Sequence, residues 1–175
     1  VILSPRLVIR PLTAGEAERS LSDTEPDSLT FADGYPSSMA TEILRLVALY
    51  PMTGEQDDDR PDLGPWLVVR QLDDAVIGAV TCARTAEPST VTVGYDFAQS
   101  CWGSGYATET LGAVVEHLLS VPEVWRVCAE TTVDHSASRR VMEKAGLRWQ
   151  RDETEFEDGR EVKIAHYAID RPAPI

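Results

Sequence analysis

Two glycines, Gly103 and Gly105, stand where the alternating run Val91-Thr-Val-Gly-Tyr-Asp-Phe97 gives way to a helical pattern starting near Tyr106. The residue types at that junction suit one task, holding an anion on main-chain hydrogens. Glycine turns tightly and keeps side chains away from the backbone amides. A helix that starts there exposes its first N–H groups without intrahelical partners and carries a partial positive charge. Trp102, Gly103, Ser104, Gly105, Tyr106 and Ala107 therefore form a candidate phosphate cradle. A glycine pair alone also marks ordinary turns. The strand before it and the helix after it raise the reading above that.

Further side chains could move protons. Glu130 and Asp96 lie in strand patterns, where a carboxylate can take a proton or simply meet solvent. Asp96 alternates with Tyr95, so only one of the two faces a given side. Ser138 falls in the first turn of a helix, with capping as its competing role. His135 offers an imidazole, a side-chain type able to act as an acid, and equally suits a surface position beside Asp134. Arg139 and Arg140 are adjacent on a helix and point about 100° apart, so they cannot both meet one anion. Glu109 suits its helix start on dipole grounds and is read as structural. Cys101 sits at the turn, where a helix start can activate a thiol, but its plainer role is packing. His117 and His166 show no metal-like spacing with a carboxylate or thiol, so no metal is expected. There is no Gly-x-Ser-x-Gly for a nucleophilic serine and no Gly-x-x-x-x-Gly-Lys-Ser/Thr for a nucleoside triphosphate.

At 175 residues and 43% hydrophobic, the chain can bury one core and is short for two, so a single domain over 1–175 is expected. No apolar run is long enough to span a bilayer and no charged-then-apolar leader opens the sequence. Three cysteines, Cys82, Cys101 and Cys128, are an odd number that fits reducing, cytoplasmic conditions. The formal charge is −13, from 29 acids against 16 bases. Such a surface repels nucleic acid and anionic membranes and attracts cations, although solubility alone is reason enough for it.

The elements that must carry these residues read in order. Leu7–Ile9 is a short strand ended by Arg10-Pro11. Thr13-Ala-Gly-Glu16 has capping-box form and opens a helix to about Leu21. Residues 22–36 form a loop. Met39, Ile43, Leu46, Val47 and Tyr50 recur at helical spacing, giving a helix over Ser38–Tyr50. Pro51–Pro65, with Asp57-Asp58-Asp59, is polar and without a pattern. Strands follow at Trp66–Gln71 and Val76–Arg84, joined at Asp73-Asp74, and at Thr90–Phe97. A helix over Tyr106–Leu119 turns Ala107, Leu111, Val114, Val115 and Leu118 inward. Then come a strand at Trp125–Thr132 and a helix over Ala137–Ala145 stopped by Gly146. Two last strands, Leu147–Phe156 and Val162–Ile169, flank Asp158-Gly159. The class is α+β.

The segments Trp102-Gly-Ser-Gly-Tyr-Ala-Thr-Glu109, Ala137-Ser-Arg-Arg-Val-Met-Glu-Lys-Ala-Gly146 and Pro5-Arg-Leu-Val-Ile-Arg-Pro-Leu-Thr13, in this order, make the chain resemble the GNAT superfamily of acyl-CoA-dependent N-acetyltransferases. The branch most similar is the one acetylating ribosomal-protein N-termini. The resemblance implies a GNAT-like fold: a mixed twisted sheet of about seven strands with about four helices, splayed between Thr90–Phe97 and Trp125–Thr132. It also implies acetyl-CoA as cosubstrate and direct attack by a primary amine in a ternary complex. The acceptor would be a protein N-terminus or a small cationic amine; many relatives pair, which leaves room for a homodimer.

On that resemblance Trp102–Ala107 holds the pyrophosphate, and the backbone of Phe97 and Ala98 meets the acetyl carbonyl. His135 stands where relatives carry Asn against the pantetheine arm. Ser138 matches a serine proposed in relatives to protonate the thiolate or touch the cofactor. Glu130 is the first choice to take the amine's proton and Asp96 the second. Arg139 is the candidate for the adenosine phosphate. Two departures stand out: Ser100 where relatives have Gln or Arg, and His135 itself. They give weight to an alternative, a non-catalytic acyl-CoA-binding module.

Overall fold

Leu7 and Ile9 are fully buried while Val8 and Arg10 beside them are half-buried, the period of a strand with one face covered. This strand is β2 (Leu7–Pro11), longer at its end than the sequence indicated, and it pairs antiparallel with an unforeseen short strand, β1 (Ile2–Leu3). The computed structural model describes residues 1–22, 29–49, 63–157 and 159–173. Tyr50, the Asp57–Asp59 run and Asp158 lie outside them, with most of the 51–65 segment and part of the 22–36 loop.

The remaining elements are α1 (Ala14–Ser22), α2 (Ser38–Leu49), β3 (Trp66–Arg70), β4 (Ala75–Arg84), β5 (Thr90–Phe97), α3 (Tyr106–Ser120), β6 (Arg126–Thr132), α4 (Ser136–Lys144), β7 (Arg148–Glu157) and β8 (Arg160–Asp170). Among the described residues eight strands form one mixed sheet in the order β1-β2-β3-β4-β5-β6-β8-β7, one more than expected because of β1. β5 and β6 run parallel, with α3 as the crossover that parallel neighbours require. Their ladder registers Thr90–Thr92 with Arg126–Cys128.

Contacts divide the chain into two compact units whose limits fall inside β4, β5 and α3. The first comprises Val1–Thr81 with Tyr95–Tyr106. Its core is Leu7, Ile9, Val68, Val76 and Ile77 with Trp66 and Leu44. Each such side chain contributes about 1.5–3 kcal/mol by leaving water. Thr13 and Glu16 form the foreseen capping box at α1: the Thr13 N–H donates to Glu16 Oε2 at 3.1 Å and the Glu16 N–H to Thr13 Oγ1 at 3.3 Å. In α2 the buried stripe is Ala40, Leu44 and Val47, whereas Met39 and Leu46 are exposed. The helical period was right and its inward face was shifted by one position.

The second unit comprises Cys82–Gly94 with Ala107–Ile175. Val91, Leu111, Val114, Leu118, Val127, Met142, Leu147 and Tyr167 make its core. Thr110 is fully buried as well, and Ala107 only half so. α4 ends in a Schellman arrangement: the Leu147 N–H reaches Met142 O at 3.0 Å and the Gly146 N–H reaches Glu143 O at 3.1 Å. β8 lies inside the sheet while β7 is its edge, with Arg148 to Phe156 all exposed. Charge along that edge discourages pairing with stray strands.

Candidate functional site

The glycine turn lies wholly in the first unit. After β5 the chain makes one 3-10 turn, Gln99–Cys101, and Gly103 and Gly105 then take φ of 75° and 82°. L-residues avoid that region, and a Cβ on Gly103 would meet nothing within 4 Å, so the glycine answers a backbone need and not a lack of space. Among the described residues no acceptor is found for the N–H groups of Gly103, Ser104 and Gly105. Trp102 through Gly105 are exposed, and the Trp102 indole donates back to Phe97 O at 3.0 Å.

Two arginines flank this turn. Arg6 Nη1 donates to Ser104 O at 3.0 Å, and its guanidinium lies 4.4 Å from the Tyr106 ring centroid. Arg70 reaches Cys101 Sγ at 3.7 Å while paired to Asp73. Hydrogen bonding to Asp73 raises its already high pKa, so the charge is permanent. Neither arginine was singled out from sequence. The groups they meet at the turn lie far along the chain, and the only signal for Arg6 was its place in the opening motif. Cys101 is 5% exposed, as packing requires.

Ser100, the departure from the family pattern, donates its hydroxyl to Asp33 O at 2.7 Å. It ties the turn to the loop before α2 instead of offering a side chain to a ligand. The Ala98 N–H is committed to Ile77 O at 2.9 Å, which removes it from the expected carbonyl donors. Alternation points the Phe97 N–H the other way. Gly78 makes this end of β5 reachable: a Cβ there would stand 2.6 Å from Asp96 O and 2.7 Å from the Phe97 ring. Asp96 is half-buried and accepts the Ser37 hydroxyl, while Tyr95 and Phe97 pair their rings at 6.4 Å.

The second unit carries the other candidates. His135 is the N-cap of α4 without a capping side-chain bond, is exposed, and stands 3.2 Å from Thr131 Oγ1 through Nδ1. Ser138 is therefore not the cap; it is buried at 9% exposure. Arg139 is engaged within the unit, donating to Tyr167 Oη and Val133 O, both at 2.9 Å. Arg140 is exposed. Tyr167 Oη in turn donates to Glu143 at 3.1 Å. Glu130 is exposed and faces His166, its cross-strand partner in register. His166 Nδ1 lies 3.4 Å from Glu130 and Nε2 3.5 Å from Glu153. Sequence left His166 between cleft and solvent; the strand order, which sequence did not fix, sets it between two carboxylates.

The model of the "Acetyltransferase (GNAT) domain" family matches residues 6–148. A search of curated proteins finds no significant sequence match. Among solved structures, a Bacillus anthracis GNAT-family acetyltransferase superposes with TM-score 0.68 at 18% identity, covering 97% of this chain and 98% of that one. The Vibrio fischeri ribosomal-protein-S5-alanine acetyltransferase gives 0.66 at 14% identity, covering 98% and 97%. Mycobacterium smegmatis RimJ in complex with CoA-disulfide gives 0.65 at 18%, covering 94% and 81%. At these identities the structures speak for the fold, and the family model, which spans most of the sequence, for kinship. The chain thus belongs to the GNAT family and is an acetyl-CoA-dependent N-acetyltransferase.

Proposed function

We propose that this chain, acting over 1–175 as one acyltransferase domain, moves the acetyl group of acetyl-CoA to a primary amine by direct attack within a ternary complex. The observation that carries the reading is the open turn at Trp102–Tyr106. The amides of Gly103, Ser104 and Gly105 in it lack acceptors among the described residues, and Arg6 and Arg70 flank it in a chain of net charge −13. A diphosphate suits those donors and charges. In the reaction, a neutral amine attacks the thioester carbonyl carbon, a C–N bond forms, the C–S bond breaks, nitrogen loses a proton and sulfur gains one.

In this reading the Phe97 N–H steadies the carbonyl oxygen. Glu130 takes the amine's proton and hands it toward His166, and Ser138 with His135 supplies the proton for sulfur. Arg139 acts through Tyr167 and Val133, by fixing α4, more than by meeting a phosphate. The acceptor is a protein N-terminus or a small cationic amine. Support for the former is the likeness to the Vibrio fischeri protein, named for the ribosomal-protein alanine it acetylates. Free cysteines fit a cytoplasmic setting.

Titration calorimetry with coenzyme A, followed by thiol release from acetyl-CoA across an amine panel, tests the proposal. Saturable binding and amine-dependent release are expected. Binding without release would restore the module reading, and absence of binding would end the transferase one.

A further inference from the structure

Asp96 is a half-buried carboxylate without a counter-charge among the described residues. Its Oδ2 accepts the Ser37 hydroxyl, and among the described residues no Lys, Arg or His forms an ion pair with it. Glu16, also half-buried, has Arg10 at 2.7 Å. Removing a carboxylate from water is costly unless donors or a cation replace the hydration. One hydroxyl is a thin replacement. It is a fixed one, because Ser37 Oγ already accepts the Ala40 N–H at 3.0 Å as the cap of α2, which directs its single proton to Asp96.

A second, independent feature lies beside it. Tyr35 is 8% exposed, and its hydroxyl has no partner among the described residues. Burial first and the Asp96 charge second push the phenol well above its ordinary pKa, so it stays neutral in the field of that carboxylate. Buried hydroxyls are nearly always paired, and an orphan asks what completes it. The loop bearing Tyr35 and Ser37 is held in place by Ser100 on Asp33 O at 2.7 Å and by the Phe31–Val76 bridge. Both groups stand in the same unit as Phe97, the residue after Asp96.

Resting on the acetyltransferase reading, we propose that Asp96, fixed by Ser37 and flanked by Tyr35, is the recognition site for the acceptor's ammonium. An aliphatic ammonium offers three N–H donors and a charge, matching Asp96 Oδ1 and Tyr35 Oη as acceptors. The acceptor class is then a primary amine that arrives protonated. Asp96 in this role binds the ammonium and does not take its proton.

Asp96→Asn keeps the shape and the Ser37 contact and removes the charge. Steady-state acetylation of cadaverine and of the peptide Ala-Ala-Ala-Tyr, with coenzyme A affinity measured on each variant, reads the effect. The amine KM should rise roughly ten- to hundredfold in Asp96→Asn, with kcat and coenzyme A affinity near wild type. Tyr35→Phe should shift KM the same way by about threefold. Should Asp96→Asn fail to fold, Tyr35→Phe still decides. An unchanged KM, or a loss confined to kcat, overturns the proposal, the latter by making Asp96 the proton acceptor. A wild-type chain that binds coenzyme A yet acetylates neither amine also overturns it. Failure to bind coenzyme A would instead sink the transferase reading on which it rests.

Discussion

At the scale of single residues, Gly103 and Gly105 show what sequence can reveal, and Gly78 what it cannot. Gly105 holds φ at 82°, with only Arg6 near an added Cβ, at 3.6 Å. Alanine there fits in space and strains the backbone. Gly105→Ala should cost about 1 kcal/mol of stability and weaken coenzyme A binding about tenfold, read by melting and by calorimetry. Wild-type affinity in that variant would mean that the turn's shape does not matter to the ligand. Gly78 is a different case, since its Cβ would collide with backbone at Asp96 O. Gly78→Ala should lower the melting temperature by several degrees, an effect of about 1–3 kcal/mol, and reduce amine turnover more than coenzyme A affinity. Equal losses in both would place the damage in general folding. The glycine pair was legible because a strand–turn–helix junction explains it locally. Gly78, Arg6, Ser37 and Ser100 were not, because each acts on a residue distant in sequence and nothing nearby encodes the meeting.

Elements show the same division between local and distant causes. The Thr13–Glu16 box and the Gly146 stop were readable, since every atom involved lies within a few residues. The inward face of α2 was not, because its stripe is chosen by the neighbouring strands, and two adjacent apolar rows satisfy one period. The box also makes a pH-dependent claim. Burial works against the Glu16 charge, but hydrogen bonds from the Arg10 side chain and from Thr13 outweigh it and hold the pKa below its ordinary 4.5. A carboxylate lowered in the fold adds stability that is complete above its unfolded pKa and drains as pH falls through the folded one. Glu16→Gln should therefore melt below wild type near pH 7, with the gap closing as pH drops under about 4. A gap constant with pH would show that the carboxylate's charge does not hold the start of α1.

At the scale of the whole molecule, a chain of 29 acids against 16 bases carries a turn flanked by two arginines. Composition announced the first half of that contrast and left the second hidden, because a net charge says nothing about where the few cations collect. The two halves act on the two substrates in opposite senses. A cationic acceptor is drawn by the acidic surface at long range, and salt screens that attraction over a Debye length of about 8–10 Å near physiological strength. An anionic cosubstrate is repelled at long range and held at short range, so for it the two effects of salt partly cancel. Raising salt from about 0.05 to about 0.5 M should then raise the amine KM several-fold while moving coenzyme A affinity much less. The slope should be steeper for a triamine than for n-propylamine, because screening scales with the charge attracted. Equal slopes for the two amines would mean that the acidic surface steers nothing. The acceptor's charge would then be felt only on contact, at a carboxylate such as Asp96, which Asp96→Asn measured at the two salt levels separates from steering.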